Sequence, residues 1–253
     1  MPDYIIEHDH WNTGLAKLPP ASNIKLGPIH GVLPFDGVRN PSGRSAWSHK
    51  IHLPYRTRAN NWRPKVGIAE SAAEAACAHQ ALVCPELYDL KFQPFTVKYR
   101  DEDGKSRQHT LDLLLTFSNG YRRALYVRHE HSLSKPATAR QIDAIVAATS
   151  KRKADDVCVV NASNFTRQRR ENLFRMHHFV FDPDPEADEI VLEVARDLTT
   201  MWLMSDLFPH VPLERDRVLR SCYRLVAKRK LSANLDNVFW ENCHMKDKLL
   251  RDA

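Results

Sequence analysis

The amino-acid sequence predicts a mixed α/β fold. A sheet flanked by helices is preceded by an irregular N-terminal arm and followed by a small helical C-terminal domain. Alternating polar and apolar residues predict strands between residues 95 and 128, with helical periodicity on either side. Prolines and turn dipeptides recur through residues 1–66, and helical periodicity returns after residue 185. The 253 residues are enough for a core domain and a smaller second one.

The arm, residues 1–66, has an uneven distribution of charge. No acidic residue occurs between Asp36 and Glu70, whereas basic residues recur there. A basic segment with interleaved aromatic residues can follow a phosphate backbone and stack on bases. It can equally be a solvated loop whose aromatic residues contact the core, so both interpretations stay open. The basic residues are Arg39, Arg44, Lys50, Arg56, Arg58, Arg63 and Lys65, with Trp47, Tyr55 and Trp62 between them.

The core, residues 67–182, begins with an alanine-rich run that contains neither Gly nor Pro. This run predicts a helix over residues 70–83, with Glu near its start, where the helix dipole favours an acid. Alternation then predicts a hairpin whose second strand runs from about Ser106 to Phe117, and Asn119-Gly120 predicts a turn into a third strand. The remaining predicted elements are a helix over 137–152, a strand over 157–160 and a helix that begins near 167.

Residues 181–185, Phe-Asp-Pro-Asp-Pro, predict a linker into a helical domain over residues 183–253. Apolar residues at helical spacing predict helices over 186–207 and 213–230, and a less clear one over 235–250. The second helix is strongly basic, which we interpret as a further surface for an anionic partner. Its basic residues are Arg215, Arg217, Arg220, Arg224, Lys228, Arg229 and Lys230.

Composition excludes several classes of protein. The 37 Lys and Arg exceed the 31 Asp and Glu, and a net charge of +6 is compatible with DNA as a partner. The glycine-rich motifs of nucleotide-binding loops are absent from the sequence. No apolar run reaches about 18 residues, and the N-terminus lacks the pattern of a secretory signal, so we expect no membrane partner. Five widely spaced cysteines predict reduced thiols and a cytoplasmic location.

Asp112 is the most informative candidate for a functional residue. It lies directly before Leu113-Leu114-Leu115, and a lone carboxylate in an apolar strand needs a partner or a metal. An acid on the preceding helix, Glu74 or Glu70, can converge with it at one edge of the sheet. Two such carboxylates can hold a hard divalent cation such as Mg²⁺ or Mn²⁺. Isolated acids are more often solvated surface residues, so the residue types alone leave both interpretations open.

Several short motifs follow one another in a specific order: E-S-x-x-E, Q-P-F, an acidic turn ending in Gly, T-x-D-L-L-L, N-G and Y-V-R. This succession, over about residues 65–180, resembles the TnsA-type transposon endonucleases, which belong to the restriction-endonuclease-like PD-(D/E)xK nucleases. The resemblance implies a restriction-endonuclease-like mixed sheet, with Glu74 and Asp112 as ligands of Mg²⁺ or Mn²⁺ and Glu70 as the alternative to Glu74. It also implies DNA as the substrate, a role in transposition, and a transposase or regulator subunit as the partner.

The third motif departs from the family pattern. Where the family has E/Q-x-K, this sequence has Tyr126-Val127-Arg128, and Leu111 replaces the Pro that usually precedes the strand acid. Arginine keeps the positive charge and can bind phosphate in a bidentate manner, but it does not readily lose a proton. We therefore expect Arg128 to serve in both the catalytic site and DNA contact. Glu130, or His129 and His131, are alternatives in a shifted register.

Three functions are compatible with these observations. The first is a Mg²⁺-dependent DNA endonuclease of the TnsA type. The second is a DNA-binding regulator or scaffold that keeps the nuclease fold, does not cleave, and docks a protein partner. The third is a protein-interaction module whose helical domain docks an ATPase or a recombinase. The predicted DNA-binding residues favour the first two; they are Arg44, Lys50, Arg56, Arg58, Arg63, Lys65 and Arg128.

Overall fold

The computed structural model describes residues 29–41, 50–198, 201 and 203–237. Outside these ranges lie Arg44, Trp47, Cys243 and most of the predicted helix over 235–250. The predicted helices over 70–83 and 137–152 and the strand over 157–160 are confirmed to within a few residues. In chain order, the strands and helices are β1 (Ile51–Tyr55), β2 (Lys65–Ala69), α1 (Ala72–Leu82), β3 (Leu87–Phe92), β4 (Thr96–Arg100), β5 (Ser106–Thr110), β6 (Leu113–Phe117), β7 (Arg122–Arg128), α2 (Glu130–Leu133), α3 (Pro136–Ala148), β8 (Asp156–Asn161), α4 (Arg167–Val180), α5 (Pro185–Asp197) and α6 (Arg215–Ala227).

The central sheet has four strands in the order β3-β6-β7-β8. The β3–β6 and β6–β7 pairs are antiparallel and the β7–β8 pair is parallel, so the sheet is mixed. Helices α2 and α3 lie between β7 and β8 in sequence and supply the long connection that a parallel pair requires. The predicted class, a mixed α/β sheet flanked by helices, is confirmed.

The strand predicted from Ser106 to Phe117 is broken in two at Asp112. Its first half, β5, pairs with β4 in a separate two-stranded sheet, and its second half, β6, pairs with β3 and β7. The chain also changes sheets at Gln93, where φ is +47° and the backbone N–H donates to the carbonyl of Asp112 at 2.9 Å. The prediction of one continuous strand was therefore wrong. Strand β3, which the sequence analysis missed, supplies the edge of the central sheet.

Alternate residues of β7 face two different layers. Leu125 and Val127 pack in a cluster with α1 and the first hairpin, which is formed by β1 and β2. Ala124 and Tyr126 pack in a cluster with α3 and β4. Strand β7 is thus covered on both faces, as expected for a strand with the near-continuous apolar run Ala124–Val127. This burial fixes the direction of the residues at its carboxyl end.

The predicted arm over residues 1–66 is corrected by the hairpin β1–β2. Leu53 and Tyr55 are buried against α1, and the Tyr55 hydroxyl donates to the carbonyl of Leu90 in β3 at 2.9 Å. The alternation in Ile51–Tyr55 had been masked by the basic and proline residues around it. Strands β1 and β2 are therefore part of the core, and Phe35 also packs against it.

The C-terminal helices share one hydrophobic cluster with the core. Ala76 of α1 and Leu173 and Met176 of α4 pack with Val191 of α5 and Val218 of α6. The predicted boundary near residue 182 is not a boundary of the hydrophobic core, because α4, which precedes it, packs with α1 of the core and with α5 and α6 of the C-terminal part. In the described part of the chain, no helix combines the length and apolar composition needed to cross a bilayer.

The basic face of α6 is occupied by ion pairs, which corrects its interpretation as a free anion-binding surface. Asp184, at the N-cap of α5, receives two hydrogen bonds from Arg217, at 2.9 and 3.0 Å. Arg220 pairs with Asp216 and Asp182, and the buried Arg224 donates to Asp188. These acids lie mostly more than 30 residues away in sequence, which is why the charge of the helix alone was misleading.

Candidate functional site

Glu74 is held at the start of α1 by the local sequence Glu-Ser-x-x-Glu. Ser71 is the N-cap, and its hydroxyl accepts a hydrogen bond from the backbone N–H of Glu74 at 3.1 Å. The Glu74 carboxylate in turn accepts from the backbone N–H of Glu70 at 2.9 Å and from the Ser71 hydroxyl at 3.2 Å. This reciprocal cap is encoded by Ser followed three residues later by Glu, and it fixes Glu74, which is 7% exposed.

Asp112 is fixed by the break between β5 and β6. Its backbone N–H donates to the carbonyl of Leu125, and its Oδ2 accepts from the backbone N–H of Val127 at 2.7 Å. Strand β5 pairs with β4 and not with β7. The Asp112 side chain, and not a backbone carbonyl, therefore accepts the hydrogen bond from Val127 on β7. The residue is only 4% exposed. The leucines that follow it predicted this burial, and the structure supplies its geometry.

The two carboxylates influence each other. Burial raises the pKa of Asp112 to about 7, and the negative charge of Glu74 adds to this effect, while the Val127 N–H and Arg128 oppose it. Burial also raises the pKa of Glu74, with a further contribution from the charge of Glu70. The pair therefore favours either a shared proton or a bound cation.

Arg128, at the carboxyl end of β7, is the cation next to this pair. Its Nη1 lies 3.7 Å from Asp112 Oδ2, too far for a hydrogen bond, and donates to the carbonyl of Val127 at 2.7 Å. The guanidinium lies over the ring of Tyr126, with 4.1 Å between its central carbon and the ring centroid. Tyr126 is itself buried in the core and contacts His109. It therefore acts as a platform for Arg128.

Glu70 is engaged by cations from the N-terminal segment. Lys50 Nζ lies 2.8 Å from its Oε1, and Arg39 pairs with its Oε2. Burial tends to raise the pKa of Glu70, but Lys50 and Arg39 outweigh it and hold that pKa below its usual value. The geometry therefore favours Glu74 as the acid that acts with Asp112.

The other basic residues of the arm lie around the first hairpin, away from the acids. Lys65 is buried and pairs with Asp36 at 2.6 Å, so it is not on the surface where DNA was predicted to bind. Arg58 donates to Ser118 and to the carbonyl of Pro85, and Arg56 lies over the ring of Phe181. Arg63 is exposed, and Arg44 lies outside the described residues. Among the described residues of the predicted set, Arg128 lies beside Asp112 and Lys50 pairs with Glu70, and the others make no ion pair with these acids.

Of the alternatives in a shifted register, His129 lines the cavity beside Glu74 and Arg128, whereas Glu130 and His131 do not. Strand β7 ends at Arg128, and Glu130 begins the short helix α2, where it is exposed. His129 is the N-cap of α2 and lines the cavity described next. His131 is exposed within α2. The strand period that predicted Glu130 beside Arg128 fails because the strand does not continue.

A cavity of about 570 Å³ opens between the start of α1, the end of β7 and the start of α4. Glu74 and Arg128 line it, and so do Arg167 and Arg170, two residues that the sequence analysis did not select. A signal for them was present. Basic residues at the start of a helix oppose its dipole, and the first turn of α4 has no acid to compensate.

The donor set fits a hard divalent cation held by two carboxylates. Magnesium is commonly bound through one or two carboxylates, with water and substrate phosphate as its remaining ligands. Glu74 and Asp112 are of this type, and burial raises the pKa of both carboxyls despite the nearby Arg128. Among the described residues, no group of three or more His, Cys, Asp or Glu side chains is arranged to hold a metal.

No protein-family model matches the chain, and a comparison with curated proteins gives no significant match.

Proposed function

We propose that this protein binds DNA and acts on it at the cavity beside Glu74, Asp112 and Arg128, as a TnsA-like member of the restriction-endonuclease-like nucleases. The observation that carries the proposal is that an acid from a helix, the acid at the strand break and the arginine that ends β7 lie close together at the carboxyl end of this interior strand. The motif order along the sequence supports the same proposal.

In this function, Glu74 and Asp112 hold Mg²⁺ or Mn²⁺. The bound ion would polarise a phosphodiester and activate water. Arg128 has one face on Tyr126 and is 31% exposed at its side chain, so it can stabilise negative charge on a phosphate. In this proposal the partner is a transposase or regulator subunit, as the resemblance to TnsA-type proteins implies, and the location is the cytoplasm, as expected from the widely spaced cysteines.

A second candidate is a DNA-binding regulator or scaffold that does not cleave. The observation that favours it is Arg128 in the position of the family's lysine. An arginine does not readily transfer a proton, and its planar group differs in shape from an ammonium. In this candidate the acid pair and Arg128 form a structural charge cluster, and the cavity retains its affinity for phosphate.

Supercoiled plasmid incubated with the protein in Mg²⁺ or Mn²⁺ tests both candidates. Nicking that disappears in Asp112→Asn and in EDTA, but persists in Asp103→Asn, supports the endonuclease. Asp103 is a suitable control because it lies in the exposed β4–β5 turn. DNA binding with a strong salt dependence and no nicking supports the regulator. A protein that neither binds nor nicks DNA contradicts both.

A further inference from the structure

The start of α4 contains three arginines that differ in their partners. Arg169 is held by Asp236, with N–O distances of 3.0 and 2.7 Å, and Asp236 also accepts a hydrogen bond from the Thr166 hydroxyl. In contrast, neither Arg167 nor Arg170 pairs with a carboxylate among the described residues. The one arginine that faces away from the cavity is neutralised, and the two that line the cavity are not.

Arg170 is half-buried, which makes its lack of a counter-ion significant. A cation withdrawn from water without a partner costs free energy, and such a position is favoured when an anionic ligand completes it. The helix dipole adds a second unfavourable contribution, because α4 presents its positive end at the same place. The cost of withdrawal from water applies to Arg170, because Arg167 is exposed, whereas the helix dipole acts on both arginines.

The same cavity contains a further unsatisfied donor. Ser163 lies in the turn between β8 and α4, and its hydroxyl is buried without a hydrogen-bond partner among the described residues. The backbone N–H of Ser163 is taken by the Asn161 side chain at 2.9 Å, which fixes the turn. Asn161 is in register with Arg128 across the parallel β7–β8 pair. The register places this turn directly beside the strand-end arginine.

We propose that Arg167 and Arg170, with Arg128 and the Ser163 hydroxyl, form the site for a backbone phosphate of DNA. Three guanidinium groups and the hydroxyls of Ser71, Ser163 and Thr166 line a cavity whose single lining carboxylate, among the described residues, is that of Glu74. Guanidinium groups bind phosphate oxygens in a bidentate manner, and a hydroxyl is a common additional donor to DNA phosphates. The phosphate would lie beside the acid pair.

This assignment rests on the proposed function, since DNA supplies the phosphodiester. It differs from the predicted DNA-binding set, which lies mostly around the first hairpin. The contact is to the backbone, so it contributes affinity and register without reading sequence.

The test is binding of a fluorescein-labelled 20-base-pair duplex at several salt concentrations, without divalent cations. Arg167→Ala/Arg170→Ala is compared with Lys98→Ala/Arg196→Ala, a control that removes the same charge from exposed positions on β4 and α5. We expect about a tenfold or greater loss of affinity in the first variant, with the slope of log K against log salt reduced by about two. The control should bind like the wild type.

A third variant, Arg167→Lys/Arg170→Lys, keeps the charge but not the planar guanidinium, so it should keep the salt slope of the wild type while losing part of the affinity. Circular dichroism melting of each variant checks that the fold is intact. Equal affinity of the first variant and the control would overturn the phosphate site while leaving DNA binding in place. Failure of the wild type to bind the duplex would overturn both the site and the proposed function.

Discussion

Asp112 and Asp188 are both buried aspartates, 4% and 6% exposed, but their surroundings differ. Asp188, on α5, accepts from Arg224 Nε at 2.8 Å, from Lys228 Nζ at 2.7 Å and from the Ser221 hydroxyl at 2.9 Å. Asp112 accepts from one backbone N–H at 2.7 Å, and its nearest cation, Arg128, lies at 3.7 Å.

The second difference is the neighbouring charge. Two cations surround Asp188, whereas Asp112 has the carboxylate of Glu74 beside it, which contributes to raising its pKa to about 7. A buried acid whose oxygens are satisfied by cations ties two helices together. A buried acid held beside another acid is left with a preference for a proton or a cation, which is typical of a functional site.

The largest expected effect is that of Asp188→Asn. The substitution keeps the shape of the side chain but leaves the buried Arg224 guanidinium without its counter-charge. Loss of one member of a buried pair costs about 3–5 kcal/mol, so we expect a decrease of that size in the free energy of unfolding. Urea denaturation followed by circular dichroism measures it.

The matched control is Asp216→Asn, which removes an exposed partner of Arg220 one helical turn away. Surface pairs of this kind contribute about 0.3–0.5 kcal/mol. Equal effects of the two substitutions would show that Asp188 is not the structural acid that its contacts indicate.

The pKa values of two buried histidines are shifted mainly by burial, without the neighbouring carboxylate that contributes to the pKa shift of Asp112. The rings of His79 and His177 are 5.0 Å apart between α1 and α4, and His177 Nε2 has no hydrogen-bond partner among the described residues. Burial, with the charges of His79 and His178 adding to it, lowers the pKa of His177 to about 3. Burial also lowers the pKa of His79 to about 4.

Below pH 6.5 the unfolded chain therefore binds protons that the folded chain does not, and stability falls as the pH decreases from 6.5 towards 4. His177→Phe removes one of these groups and keeps a ring in the stack. We expect the pH dependence of the unfolding free energy in this range to decrease by about 1 kcal/mol per pH unit. Urea midpoints at pH 7.5, 6.0 and 5.0 measure it, and parallel curves for the two proteins would contradict the expectation.

The sequence predicted the parts of this site that depend on local pattern. Glu74 follows from the cap of α1, and the burial of Asp112 follows from the three leucines after it. The strand break at Asp112 was not predictable, because it depends on β3, which pairs with β6 more than 20 residues away. Alternation of polar and apolar residues within one segment does not show where the chain passes from one sheet into another.

Charge was the least reliable guide, since ion pairs are made across long distances in sequence. The arginines of α6 seemed available for DNA, but Asp182, Asp184 and Asp188 neutralise three of them. The arginines of α4 were not among the predicted DNA-binding residues, yet Arg167 and Arg170 line the cavity beside Glu74. The number of basic residues in a segment therefore does not show which of them are free, because that depends on which acids the fold brings close.

The smallest expected effect is that of Asp112→Asn on stability, measured in EDTA. The folded pKa of about 7 lies above the ordinary value of 3.8, so the folded chain binds the proton more readily, and this group destabilises the fold as the pH increases from 4 to 7. An amide oxygen can still accept from the Val127 N–H, and it carries no charge to oppose Glu74. The pKa shift sets an upper bound of about 4 kcal/mol on the gain at pH 8, and burial of the amide N–H₂ and the lost attraction to Arg128 reduce it. We therefore expect the variant to be more stable than the wild type by about 1 kcal/mol at pH 8, and equal to it near pH 4.

Added Mg²⁺ should reverse this difference, because an ion bound by Glu74 and Asp112 stabilises only the wild type. Asp103→Asn, in the exposed β4–β5 turn, should show neither effect. If Asp112→Asn instead loses several kcal/mol at pH 8, as expected for Asp188→Asn, then both aspartates are structural. A gain in EDTA that Mg²⁺ abolishes would mean that the fold keeps Asp112 at a cost in stability, and that a cation offsets this cost.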